Sequence, residues 1–195
     1  MTTPVIDRRA FHFPEATEAS FGFLASRGFK CVQGEETFVR FQSNRAYVNV
    51  YHGRKSFEVG LEIGPFQSAE APYSMSEIIR LVEPSKADEY RNYSARSADD
   101  VATGVRQLAA LFRRYVDAGL LDDPKLFERL LVGREAWKQG FAREVNLTQV
   151  RRKLEGAWHS KDYAKVVELL KPLRDALTPT ELQKLDYAEK HARRR

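Results

Sequence analysis

Glu58 and Glu62 stand four residues apart in EVGLEIG, a spacing that puts both carboxylates on one side of an extended strand. His52, Arg54 and Lys55 lie in the turn just before them. Carboxylates on a sheet beside basic residues are the raw material of a metal-dependent nuclease. Such a site also needs a further acidic ligand and a lysine close behind one carboxylate. Glu58-Val59-Gly60 and Glu62-Ile63-Gly64 supply no such lysine. A cross-strand charge pattern on a solvated face accounts for the same residues more simply. Cys31, in KCVQ beside Lys30, is a nucleophile only if its surroundings lower its pKa, and the expectation is a buried structural thiol. His12, His52, His159 and His191 are scattered, with no H-E-x-x-H, so no zinc site is expected. Neither glycine-rich phosphate loop nor G-x-S-x-G elbow occurs. The sequence therefore predicts no catalytic residue, no metal and no cofactor.

What remains is a surface. In RAYVNVYHGRKSFEVGLEIG, residues 45–64, Ala46, Val48 and Val50 alternate with Tyr47, Asn49 and Tyr51. Phe57, Val59, Leu61 and Ile63 alternate with Glu58 and Glu62 in the same way. Period-two alternation predicts an antiparallel hairpin with one apolar face. Tyr47, Asn49, Tyr51, Glu58 and Glu62 then share the other face, and Phe38 and Arg40 can join them from the neighbouring strand. Aromatic anchors among polar groups are the composition of a protein interface. Exposed tyrosines can also stack nucleobases, but the two glutamates would repel phosphate and no RNA-recognition strand motif is present. A helix of the same chain covering the face is the competing expectation.

Several elements must hold that face. Residues 14–28 read as a helix that Gly28 stops; KCVQ and TFVRFQ read as strands. Gly53 is the turn residue free to take positive φ. Ser74-Met75-Ser76-Glu77 is a capping box, Ser97 caps a longer helix, and Asp123-Pro124 opens another. Residues 84–96 read as a loop or short helix. The glycine-spaced stretch 133–145 reads as a join between a core domain, 1–132, and a helical extension, 133–195. The expected fold class is α+β: an N-terminal helix, a three- to four-stranded antiparallel meander, helices on one face and a helical tail.

Charge divides the chain unevenly. Residues 1–100 hold 12 Lys/Arg against 14 Asp/Glu, and residues 101–195 hold 20 against 13. The basic second half offers an alternative nucleic-acid surface, with Arg151, Arg152, Lys153, Arg193, Arg194 and Arg195 as its contacts. Solvated helix faces explain the same charges. No apolar run reaches the roughly 18 residues needed to cross a bilayer. With no signal-peptide pattern and a single cysteine, a cytoplasmic location and no membrane association are expected.

The tail carries a resemblance. Asp162-Tyr163 followed by Val166-Val167, Leu170 and Leu173 resembles the second helix of a tetratricopeptide repeat. It departs from the repeat at Val166, where alanine is usual, and in the first helix at Leu154 and Ala157. The likeness covers about 40 residues and a single unit, and it implies a helical hairpin suited to packing on protein, with nothing catalytic. The helix-then-meander front half is similar in general shape to small bacterial toxin-neutralising proteins of the immunity type, which implies another protein as partner and transfers no residue.

Overall fold

The computed structural model describes residues 7–192. The chain divides into two compact units, Met1–Arg134 and Glu135–Arg195. The fold class is α+β.

The first unit begins with a 3-10 turn at Arg8–Phe11 and helix α1 (Phe13–Phe21), which tightens into 3-10 geometry over Gly22–Arg27. Gly28 ends it in the left-handed region at φ +79°, a conformation open to glycine without a Cβ clash. Strands β1 (Lys30–Glu35), β2 (Phe38–Gln42), β3 (Ala46–His52) and β4 (Glu58–Pro65) follow as an antiparallel meander. Two short strands, β5 (Tyr73–Ser74) and β6 (Tyr93–Ser94), both pair with β4 on its outer side. The sheet is thus broader than the hairpin pattern implied, because two-residue strands leave no periodic signature. Between the short strands lie helices α2 (Met75–Val82) and α3 (Pro84–Ala87); α4 (Ala98–Asp117) comes after them. The capping box at Ser74 is formed, and Ser97 accepts from the Asp100 backbone N–H.

Val39, Phe41, Val48, Val50, Val59, Leu61 and Ile63 point to one side and are buried. Helices α1 and α4 pack against each other and against that side, α4 through Val101, Val105, Leu108 and Phe112. Strand β1 is an exposed edge, and a bulge between Cys31 and Gln33 interrupts its ladder. Bulges of this kind spoil an edge as a template for further strands. Cys31 is exposed there, contrary to the expected buried thiol.

One further expectation is corrected. Gly53 is not at positive φ; Phe57 takes the left-handed conformation, at φ +59°. Its ring is held by the Arg8 guanidinium at 4.1 Å and the Arg96 guanidinium at 5.3 Å, contacts a glycine could not make. Residues 133–145 are helical, the middle of helix α5, which runs unbroken over Leu126–His159, and the boundary between the two units falls within them, between Arg134 and Glu135. Glu135, Ala136, Lys138, Gln139, Ala142, Arg143 and Glu144 are strong helix formers and outweigh Gly133 and Gly140, at about 1 kcal/mol each.

In the second unit, the end of α5, helix α6 (Tyr163–Leu170), a 3-10 turn at Lys171–Ala176 and helix α7 (Pro179–Ala192) enclose a small core. Leu154, Ala157, Val166, Leu170, Leu185 and Ala188 fill it. Asp162 caps α6 by accepting from the Lys165 N–H, and Pro172 marks the passage from α-helix to 3-10 geometry.

Candidate functional site

The sheet face opposite the core is built in cross-strand rows. Arg40, Asn49, Glu62 and Ser74 sit side by side on β2, β3, β4 and β5. Arg40 Nε donates to Asn49 Oδ1 at 2.9 Å, and Asn49 hydrogen-bonds the Glu62 carboxylate. Burial pushes Glu62 above the ordinary carboxylate range, against the pull of the Asn49 bond. Beyond Ser74, Glu77 Oε2 accepts from the Ser74 N–H at 2.8 Å and Glu77 Oε1 from Arg134 Nε at 2.6 Å. Burial works to raise Glu77, but the Arg134 and Ser74 bonds overcome it and hold it below its usual value.

Aromatic rows flank this polar one. Tyr51 pairs with Gly60 and Tyr47 with Gly64, and each phenol ring lies in the space that a Cβ on its glycine would occupy. Glycine at those two positions lets the tyrosines lie flat over β4. The Arg40 guanidinium is 4.6 Å from the Tyr47 ring and 5.8 Å from the Phe38 ring, within cation–π range of both. The five residues singled out in the sequence therefore do share a face. Tyr47, Tyr51, Glu58 and Glu62 are half-buried on it; Asn49, at 5% exposure, lies beneath it and orients Arg40 and Glu62 rather than offering itself to a partner.

At the Glu58 end the face deepens. Strand β5 pairs with Glu62 and Ile63, and β6 pairs with Glu58 and Val59. Gly60 and Leu61, between them, are left without a strand partner on that side. A cavity of about 210 Å³ occupies the gap, lined by Tyr51, Glu58, Leu61, Ser74, Tyr90 and Asn92 among others. Tyr90 Oη donates to Asn92 Oδ1 at 3.0 Å, and Asn92 hydrogen-bonds Tyr51. Burial drives the Tyr90 phenol up to about 12, with Tyr51 and Glu58 adding to it, so both phenols stay neutral at ordinary pH. Sequence reasoning missed Tyr90 and Asn92. The signal was the alternation of Tyr90, Asn92 and Ser94 with Arg91, Tyr93 and Ala95, too short to separate from a loop.

The other candidate chemistries fare differently. Cys31 Sγ lies 3.7 Å from Glu18 Oε1, and partial burial together with that carboxylate pushes the thiol up, away from a reactive thiolate. Among the described residues no group of three or more His, Cys, Asp or Glu side chains could hold a metal ion. No helix among them is long and apolar enough to cross a membrane. Of the basic tail residues, Arg151 is engaged by Glu181 at 2.7 Å, Arg152 and Lys153 are exposed on α5, and Arg193, Arg194 and Arg195 lie outside the described residues.

Comparison with protein-family models, with curated proteins and with solved structures finds no match to this chain.

Proposed function

We propose that this chain is a non-catalytic, cytoplasmic protein-binding module of the immunity or adaptor kind, using the Tyr47–Tyr51 face. The observation that carries the reading is the bracing of that face. Arg40 is held by Asn49 and stacked between Phe38 and Tyr47, while the tyrosines rest on glycines of a paired strand. Side chains fixed before binding lose little entropy on contact, and tyrosine and arginine are the side chains that most often anchor interfaces. No arrangement of nucleophile and base accompanies them.

The test is affinity. A protein captured from native extract, identified and purified, is titrated calorimetrically against wild type and against Tyr47→Ala/Tyr51→Ala. Loss of two anchors predicts affinity lower by about 30-fold or more, matching roughly 2 kcal/mol. Circular dichroism melts establish that the variant is folded. Equal affinity for both proteins would sink the proposal.

A second reading, nucleic-acid association, is favoured by one observation. Met1–Arg134 holds 18 Lys/Arg and 18 Asp/Glu, net 0, whereas Glu135–Arg195 holds 14 and 9, net +5, the whole charge of the chain. If about three phosphates are neutralised, affinity for a labelled duplex falls about 40-fold between about 50 and about 200 mM salt. A flat salt profile in filter binding removes this alternative.

A further inference from the structure

The gap in the outer edge of β4 has features that the binding reading alone does not use. Leu61 and Met75 close its base, each only 1% exposed, with the Leu61 side chain turned into the core. Its walls are the Tyr51 and Tyr90 rings, and its polar groups are the Ser74 and Ser76 hydroxyls, the Asn92 amide and the Glu58 carboxylate. Tyr90 and Asn92 hold each other, so their orientation is set before anything enters. The Glu58 carboxylate, half-buried, forms no hydrogen bond or salt bridge among the described residues. Arg91, the cation nearest to it in the lining, is exposed, and its Nη1 donates to the backbone carbonyls of Asp88, at 2.6 Å, and Tyr90, at 2.7 Å. A half-buried carboxylate beside two neutral phenols presents acceptors at one end and aromatic carbon along the walls.

We propose that this cavity receives a lysine side chain presented by the partner protein: the methylene stem between Tyr51 and Tyr90, and the ammonium on Glu58. The proposal rests on the protein-binding reading and specifies its anchor. An ammonium carries three donors, and the Glu58 carboxylate and the two phenolic oxygens are acceptors of matching number. Its charge also suits the faces of the tyrosine rings. The volume suits a single side chain: about 210 Å³ is below the range of ordinary ligand pockets, about 300 Å³ and up.

The test uses the full chain, isotope-labelled, in an amide-shift titration with Nα-acetyl-lysine methylamide. The uncharged Nα-acetyl-norleucine methylamide, with nearly the same stem, is the control probe. Saturable shifts are expected at the amides of Gly60, Leu61, Ser74 and Ser94. Norleucine is expected to bind at least about fivefold more weakly, and Glu58→Gln to reduce the lysine affinity by a similar factor with the rest of the spectrum unchanged. Equal response to the two probes, undiminished binding by Glu58→Gln, or no shift at those amides each overturns the proposal. The two ideas fail separately. If Tyr47→Ala/Tyr51→Ala loses an identified partner while Glu58→Gln binds it as wild type does, the lysine pocket falls and the binding face stands. If lysine enters the cavity but partner affinity ignores the tyrosines, the reverse holds.

Discussion

Replacing His52 with alanine is expected to destabilise the first unit by roughly 3–5 kcal/mol, through a cavity and through polar groups left without partners. His52 is 1% exposed at the end of β3, among the rings of Phe11, Phe13 and Phe57. Its Nε2 lies 2.8 Å from the Ala95 carbonyl, so Nε2 carries the proton. Its Nδ1 lies 3.0 Å from Arg8 Nη1 and accepts. The neutral ring therefore bridges the N-terminal 3-10 turn and the segment before α4. Arg8 makes a second tie, donating to the Arg54 carbonyl at 2.7 Å. Without the imidazole, the Ala95 carbonyl and one arm of Arg8 lose their partner together.

The same geometry gives a pH dependence. Burial lowers the His52 pKa from its usual 6.5, against the pull of the Ala95 bond and with the Arg8 charge adding to the fall. The unfolded chain then binds a proton more readily than the native one. Stability from this group is complete above about 6.5 and is lost as pH drops through the lower folded value. A protonated ring would turn an N–H toward the Arg8 guanidinium, the one charged side chain among the described residues that hydrogen-bonds it. Urea midpoints between pH 7.5 and pH 5 should fall for wild type and stay level for His52→Gln, which keeps a donor for Ala95 and an acceptor for Arg8. Parallel slopes for the two proteins would show that His52 is not responsible.

How much of this was legible beforehand depended on periodicity. Alternation from Ala46 to Ile63 told which strand side chains face the core: the observed register, Val48 opposite Ile63 and Val50 opposite Leu61, keeps Ala46, Val48, Val50, Val59, Leu61 and Ile63 inward, while Phe57, ahead of β4, is only half-buried. The capping residues Ser74 and Ser97 were legible because one side chain and one backbone N–H suffice to define each of them. Asn49 is a different case. Its strand face was readable, but its burial depends on Arg40 and Glu62 closing over it from the neighbouring strands, and pattern along one strand carries no such information. The left-handed Phe57 was hidden for a similar reason: its ring contacts with Arg8 and Arg96 come from residues 49 before and 39 after it. Continuity of α5 was obscured by Gly133 and Gly140, which look like breaks until the helix propensity of the residues between them is weighed.

The second unit should depend on Glu181 as well as on its apolar core. Glu181 is 9% exposed and completes the capping box of α7: its Oε2 accepts from the Thr178 N–H at 2.7 Å, and its own N–H donates to Thr178 Oγ1 at 3.3 Å. Arg151 on α5 grips the same carboxylate with two donors, at 2.7 Å and 3.3 Å. The Arg151 bond, first, and the Thr178 bonds hold Glu181 down at about 2, against 4.5 ordinarily, despite its burial. A depressed carboxylate stabilises the native form fully above about 4.5, and that contribution disappears as pH falls toward about 2. Because Arg151 is 45% exposed at its side chain and screened by water, Glu181→Gln is expected to cost roughly 2–3 kcal/mol, less than the full shift implies. Glutamine keeps one acceptor for the Thr178 N–H and removes the charge and the second acceptor that Arg151 grips, so the loss reports on the Arg151 pair. Amide exchange at Leu154, Val166, Leu170 and Leu185 should quicken together in this variant at neutral pH. In wild type it should quicken together only in strong acid. Unchanged protection at those four amides would mean that packing alone, and not the cap-and-arginine clasp, holds the three helices in place.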